Sequence, residues 1–307
     1  MSDINKFIIF SPSYNEKSGG IVVLHKLCHL INELGYEAYL YPHREQFVFD
    51  KKNILSTLLL FIKFHIKSVL KGYKVNKSFN TPIFKDEDCK IDGTCVVFYS
   101  ELVLGNPLKA KNVVRWLLHQ PGFHTGNVMY NSGELLFKFN SAIKDFNYPG
   151  SHTSSQELKV IHYPLEHYNK KNLSPKREGT AYCLRKGKNK KIVHELKDSI
   201  LIDNLSHKEV AEVFKKTKRF ISYDTYTAYS LFAVLCGCES VVIPDDNVTE
   251  HQWYPNEIDR YGIAYGFENL EKANKTKELV KSHIINEEEK SINNVKSAII
   301  SIKRYFE

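Results

Sequence analysis

The chain has 307 residues, 42% hydrophobic and 25% charged, with a formal net charge of +8 at pH 7. Those proportions are ordinary for a globular protein, and the length suits two domains of common size. No stretch approaches the roughly 18 uninterrupted apolar residues of a spanning helix, and residues 1–6 (MSDINK) lack the apolar core of a secretory signal. Six cysteines are too sparse for a disulfide scaffold, so the expectation is a reduced, cytoplasmic chain. A basic balance suits nucleic acid, anionic lipid or an anionic substrate. No nucleic-acid motif is visible, so no nucleic-acid partner is expected. Abundant lysine and isoleucine give part of the basicity a purely compositional origin.

Lys6 to Phe10 reads as an apolar strand, followed by a polar, turn-rich loop to Gly20. Apolar residues at 21, 24, 27, 28, 31 and 34 then set a helical period. Gly35 ends that helix, and Glu37 to Tyr41 is the next strand. Gly19 and Gly20 at the helix start admit close approach of a ligand to the backbone. The pattern is not GxGxxG, so no nicotinamide site follows. Asn53 to Tyr73 reads as an apolar helix with Lys63, Lys67 and Lys71 on one face. It is either a core helix with a solvated stripe or an interfacial helix on anionic lipid. Lys74 to Asp92 is a polar connection. Thr94 to Tyr99 and Asn112 to Leu118 are buried strands, and Glu101 and His119 fall just past their carboxyl ends. Glu134 to Phe139 extends the same sheet.

His162 to Tyr168 is weakly strand-like, and Asn169 to Gly179 is a polar boundary or surface loop. Thr180 to Leu184 starts a second sheet, followed at once by Arg185-Lys-Gly-Lys188. Lys190 to Lys197 reads as helix, Ser199 to Asp203 as strand, and His207 to Lys216 as a helix capped by Ser206. Lys218 to Pro244 is strand, turn, helix, turn, strand. Arg219 to Tyr223 is extended, and Thr225 and Thr227 are candidate N-caps. Ala228 to Cys236 is a buried helix, Gly237 its left-handed end, and Ser240 to Ile243 a buried strand. Open α/β sheets bind ligands outside the carboxyl ends of their strands, here at residues 223–227, where a helix start suits phosphate. Arg185 and Lys188, also past a strand end, suit a diphosphate, and Tyr223 or Tyr226 suits a base. Asp245 to Asn256 is a loop, and Leu270 to Val280 and Glu287 to Phe306 are helices. Cys236 and Cys238 have no second pair at metal spacing, so no metal site is expected.

These two βαβ-built halves resemble a GT-B glycosyltransferase, of the bacterial capsule and lipopolysaccharide type with a family-4-like C-terminal half. Three places carry the likeness. Ser18-Gly19-Gly20 looks like the glycine loop that faces the acceptor. Leu184-Arg-Lys-Gly187 resembles the basic residues that hold the donor diphosphate. Asp224 to Gly237 resembles a pattern of two carboxylates before Cys-Gly, with Asp224 in the first position and Phe232 in the second. Glu101 to Pro107 and Arg115 to Gly122 also look like stretches of such transferases.

The resemblance implies an α/β fold with two Rossmann-like domains facing a cleft. Residues 1–150 form the acceptor-side domain and 151–285 the nucleotide-sugar domain, and helix 286–307 returns to the first. It implies transfer of a sugar from a nucleotide-sugar donor to a bacterial surface polysaccharide. Asp224, His119 and Glu101 are then catalytic. Arg185, Lys186, Lys188, Tyr223, Thr225, Tyr226 and Thr227 hold the donor, and Ser18, Gly19 and Gly20 the acceptor. The partners are the donor, a saccharide or lipid-linked saccharide acceptor and an anionic membrane surface, with the enzyme peripheral on the inner membrane and no cofactor or metal. Two alternatives keep the fold: transfer of a phosphate-like substituent onto capsule sugars, or a non-catalytic saccharide-binding module. Beside the site roles stand plainer ones: surface charge for Arg185 and Lys186, a turn residue for Asp224 and Glu101, a structural histidine for His119.

Overall fold

A computed structural model describes residues 4–43, 59, 62, 72–85 and 90–307. The chain divides into two compact units, Met1–His162 with Glu288–Glu307, and Tyr163–Glu287.

Unit 1 is built on β1 (Lys6–Ser11), α1 (Gly19–Glu33), β2 (Glu37–Pro42), β3 (Cys95–Ser100), β4 (Asn112–Leu117), β5 (Leu135–Lys138) and β6 (His152–Thr153). The strands are all parallel, in the order β2-β1-β3-β4-β5-β6. The apolar run CVVFYS of β3 is buried at every position, as in a sheet covered on both faces. On one face Leu24, Leu27 and Ile31 of α1 pack with Phe7, Ile9 and Phe98, joined by Val295, Ile299 and Ile302. The other face buries Ile8, Phe10, Val97 and Tyr99.

Arg115 in β4 breaks the apolar rule, at 0% exposure. Its Nε and Nη2 donate to the two carboxylate oxygens of Glu134, each at 2.8 Å. Its remaining donors reach the carbonyls of Val103 (2.7 Å) and Gly105 (2.8 Å). A buried guanidinium is tolerable only when paired and saturated in this way. It fixes the loop that follows β3.

Unit 2 holds β7 (Thr180–Cys183), β8 (Ser199–Leu201), α2 (His207–Lys216), β9 (Arg219–Ser222), α3 (Tyr229–Leu235), β10 (Glu239–Val242), α4 (Glu250–Trp253), β11 (Ile263–Tyr265) and α5 (Leu270–Thr276). Its parallel order is β11-β10-β9-β7-β8. Ser206 and Glu209 form a reciprocal capping box that starts α2. Gly237 (φ 82°) ends α3, with the Cys238 amide on the Ala233 carbonyl and the Gly237 amide on Val234. That is the paired closure a left-handed residue permits. The last helix, α6 (Leu279–Phe306), contributes Val280 and Ile284 to the core of unit 2. Its residues from Glu288 onward belong to unit 1.

The elements depart from the sequence reading in four places. Residues 162–168 form turns rather than a strand, because Pro164 has no amide and its carbonyl takes the amides of His167 and Tyr168. Residues 190–197 are not helical: the Val193 amide donates to the Tyr223 hydroxyl at 2.9 Å instead of to a helical carbonyl. The helix at Leu270 stops at Thr276, and the final helix begins at Leu279 rather than Glu287. The short strands β6 and β11 carry too little pattern to be read from sequence. The expected helix from Asn53, with Lys63, Lys67 and Lys71, lies outside the described residues apart from 59, 62, 72 and 73. Among the described residues no helix is long and apolar enough to cross a membrane.

Candidate functional site

In unit 2 the carboxyl ends of β7, β9 and β10 open onto a cavity of about 650 Å³. The chain runs from β7 out to β8 and then returns past β7 to β9, so strand order reverses between β7 and β9. Open parallel sheets form their ligand crevice at such a point. Lys186, Gly187, Lys190 and Lys191 line it from the segment after β7, Tyr223–Tyr226 after β9, and Ile243–Asp246 after β10.

Local chemistry holds these walls. Asp203 accepts the amides of Leu184 (3.1 Å) and Arg185 (3.0 Å), fixing the turn after β7. Arg185 adopts φ 41° there, an uncommon backbone for a residue with a side chain. Gly187 lies so close to the Tyr223 carbonyl that any Cβ would overlap it. The Lys190 ammonium then ties three segments together. It donates to Thr225 Oγ1 (2.8 Å) and to the Ile243 carbonyl (2.7 Å), and pairs with Asp245 Oδ1 at 2.7 Å. Thr225 donates in turn to Asp245 Oδ2 at 2.8 Å. Burial opposes the Asp245 charge, but the bonds from Lys190 and Thr225 outweigh it and hold this carboxyl below its ordinary value. With its three N–H groups engaged, Lys190 is a wall-building cation. Lys186 and Lys191 are exposed, with no ion-pair partner among the described residues.

The expected site residues of unit 2 divide by position. Asp224, Thr225, Tyr226, Tyr223 and Lys186 lie on the cavity, whereas Arg185, Lys188 and Thr227 are not on its lining. Arg185 stands over the Tyr229 ring, 4.9 Å from its centroid. Asp224 Oδ1 accepts the Tyr226 amide at 3.2 Å, a turn-forming bond. Tyr226 is 58% exposed and meets Tyr254 edge-on at 5.7 Å, so it offers an accessible aromatic face. Tyr223 is fully buried, and its hydroxyl meets the Val193 amide (2.9 Å) and His194 Nδ1 (2.7 Å), which leaves no face for a base. α3 has seven residues and starts at Tyr229, without a side-chain bond from its N-cap residue Ala228. Thr227 Oγ1 accepts the Tyr229 amide at 3.3 Å. Phe232 is buried and stacks on Tyr168 at 4.2 Å, within the core of the unit.

In unit 1, Ser18 precedes α1 without a side-chain cap bond. A Cβ at Gly19 would meet nothing, and one at Gly20 only Leu118 Cδ1 at 3.6 Å. Packing therefore does not require glycine at either position. Glu101 is 4% exposed, accepts the Leu118 amide at 3.0 Å, and is pushed above the usual carboxylate range by burial. It laces the end of β3 to the end of β4. His119 is exposed and packs against Phe123 (4.4 Å) and His124 (4.7 Å). Among the described residues no group of three or more His, Cys, Asp or Glu is placed to hold a metal ion.

Lys190, Lys191, Asp245 and Asp246 escaped the sequence reading. Asp245 and Asp246 follow the end of β10, so the strand-end rule applied to Tyr223 reaches them too. Lys190 and Lys191 were hidden inside an apparent helix.

No family model matches the chain, and no curated protein matches it in sequence. Among solved structures it is similar to a mutant of the Thermobaculum terrenum O-GlcNAc transferase, at 9% identity and TM-score 0.47, over 99% of this chain and 68% of that one. It is also similar to MurG of Acinetobacter baumannii, at 8% identity and TM-score 0.33, over 98% of this chain and 99% of that one.

Proposed function

We propose that the chain is a glycosyltransferase that moves a sugar from a nucleotide-sugar donor to a bacterial surface polysaccharide, of capsule or lipopolysaccharide type. The observation that carries this reading is the cavity at the strand-order reversal of unit 2, with Lys186 and Lys191 on its wall free of acid partners among the described residues. A nucleotide-sugar reaction breaks the bond between the anomeric carbon and a diphosphate oxygen. The acceptor hydroxyl oxygen bonds that carbon and gives its proton to solvent, and the diphosphate leaves with added negative charge. Cations fixed beside the leaving group stabilise that charge as it develops.

In this reading Lys186 and Lys191 face the diphosphate, Lys190 holds the wall, and Tyr226 supplies the aromatic face for the base. Arg185 and Lys188, just off the lining, add longer-range positive potential. Asp224 accepts a hydroxyl of the donor sugar. Acceptor recognition falls to unit 1, with Ser18, Gly19, Gly20 and His119 assigned to it. Glu101, buried on backbone amides, acts by shaping the β3 and β4 ends. No cofactor or metal has a step here.

Phe232 favours a second reading. The position where the resemblance calls for a carboxylate is closed into the core by Tyr168, which suits a saccharide-binding module without turnover.

A melting-point panel with UDP, GDP, CMP and their sugars separates the two, since a true donor stabilises the native state by mass action. The expected outcome is a rise with one nucleotide and its sugar, together with hydrolysis or transfer. Asp224→Asn should then lower turnover with little change in nucleotide affinity. Stabilisation by saccharides alone, with no nucleotide active, would favour the binding module.

A further inference from the structure

The turn after β7 is held by an anion of the chain's own. Leu184 is right-handed (φ −103°, ψ −56°), and Arg185 follows it with φ 41°. A right-handed residue followed by a left-handed one points successive amides to one side, in the kind of concavity that binds anions. Asp203, just past the end of β8, fills this one. Its Oδ1 accepts the Leu184 amide at 3.1 Å and its Oδ2 the Arg185 amide at 3.0 Å. Asp203 has no ion-pair partner among the described residues, so these amides are what meets its charge. A positive φ is unfavourable for a residue with a Cβ, and it persists only where the surroundings hold it.

The cationic wall of the cavity hangs from that turn. The Gly187 amide donates to the Leu184 carbonyl at 2.7 Å, and the Lys190 amide to the Gly187 carbonyl at 3.0 Å. Between them Gly187 lies against the Tyr223 carbonyl, with no room for a Cβ. Lys186 and Lys191 reach the cavity from this same segment, whereas Asp203 is not on the lining.

We infer that Asp203 is a positioning residue for the donor diphosphate: it fills the amide concavity after β7 and so aims Lys186 and Lys191 into the cavity. That role rests on the donor site proposed above and adds to it a residue that does not touch the donor. The chemistry asks for a carboxylate. Two amides each need an acceptor oxygen, and asparagine has one oxygen and turns an NH₂ group toward the second amide.

The test is titration calorimetry of the full chain with UDP, GDP and CDP. Asp203→Asn, folded by circular dichroism, should weaken binding of the nucleotide that the wild type takes by about tenfold, as much as losing a cation on phosphate. In a Lys186→Gln, Lys191→Gln background the same change should alter Kd by less than about twofold, because residues that act through one another are not additive. A carboxylate that serves the fold alone would cost the same factor in both backgrounds. Asp203→Ala empties the concavity, and formate should restore its affinity where chloride at equal ionic strength does not. Equal affinity in the wild type and Asp203→Asn, or an equal loss in both backgrounds, overturns the positioning role and leaves the donor site standing. So does an Asp203→Ala loss on which formate and chloride act alike. A wild type that binds no nucleoside diphosphate removes the donor site, and the positioning role with it.

Discussion

At the residue scale, burial decides what several polar side chains do. His43 packs against Phe10 with ring centroids 4.6 Å apart and planes tilted by 30°, and burial holds its pKa down to about 4. An unfolded histidine titrates near 6.5, so between those values the unfolded chain binds the proton that the native chain rejects. Native stability then rises with pH, and His43's contribution is lost as pH falls from 6.5 toward 4. His43→Phe keeps the ring contact and removes the titration. Denaturant midpoints at pH 7.5 and pH 5 should show a smaller loss on acidification for His43→Phe than for the wild type. Parallel losses in the two proteins would mean that His43 titrates as an exposed group.

At the element scale, short segments are held by side chains that arrive from far along the chain. Arg177 precedes β7, and its Nη1 donates to the Gly237 carbonyl at 2.7 Å. Its Nη2 donates to the carbonyls of Phe214 (2.8 Å) and Thr217 (2.7 Å). One guanidinium thus satisfies the carboxyl ends of both α2 and α3, where helix dipoles favour a cation. Arg177→Ala should destabilise by about 1.5–3 kcal/mol, the range for bonds to a charged group, seen as a lower urea midpoint with an unchanged slope. Arg177→Lys should recover only part, since an ammonium lacks the fork. An unchanged midpoint in Arg177→Ala would show that water caps these helices equally well.

The same distance effect sets what could be read in advance. β1, β3, β9 and β10 are legible because buried parallel strands are predominantly apolar runs, and β4 is legible from its apolar neighbours in spite of Arg115. α2 was legible because Ser206 and Glu209 sit at capping-box spacing. Residues 190–197 were misread because Ile192, Val193 and Leu196 mimic a helical face, while the Tyr223 hydroxyl that claims the Val193 amide is about thirty residues away. The site was half legible for the same reason. Strand-end residues Asp224 to Tyr226 follow from topology, but the Lys190, Thr225 and Asp245 tie joins three separate segments. Tyr223 illustrates the converse: a tyrosine at a strand end looks like a base platform until packing turns it inward.

At the scale of the whole molecule, each unit is a parallel sheet with its own strand-order reversal, between β1 and β3 and between β7 and β9. The cavity of unit 2 is the place where the central claim can fail. Titration calorimetry with the nucleoside diphosphates UDP, GDP and CDP, against the wild type and against Lys186→Gln with Lys191→Gln, tests it directly. A charge-assisted contact to phosphate contributes about 1.5–3 kcal/mol, and each 1.4 kcal/mol is a factor of ten in Kd. The account predicts that the wild type binds one of these nucleotides and that the double variant, folded by circular dichroism, binds it at least about tenfold more weakly. Equal affinity in the two proteins, or no binding of any nucleoside diphosphate by the wild type, would contradict it.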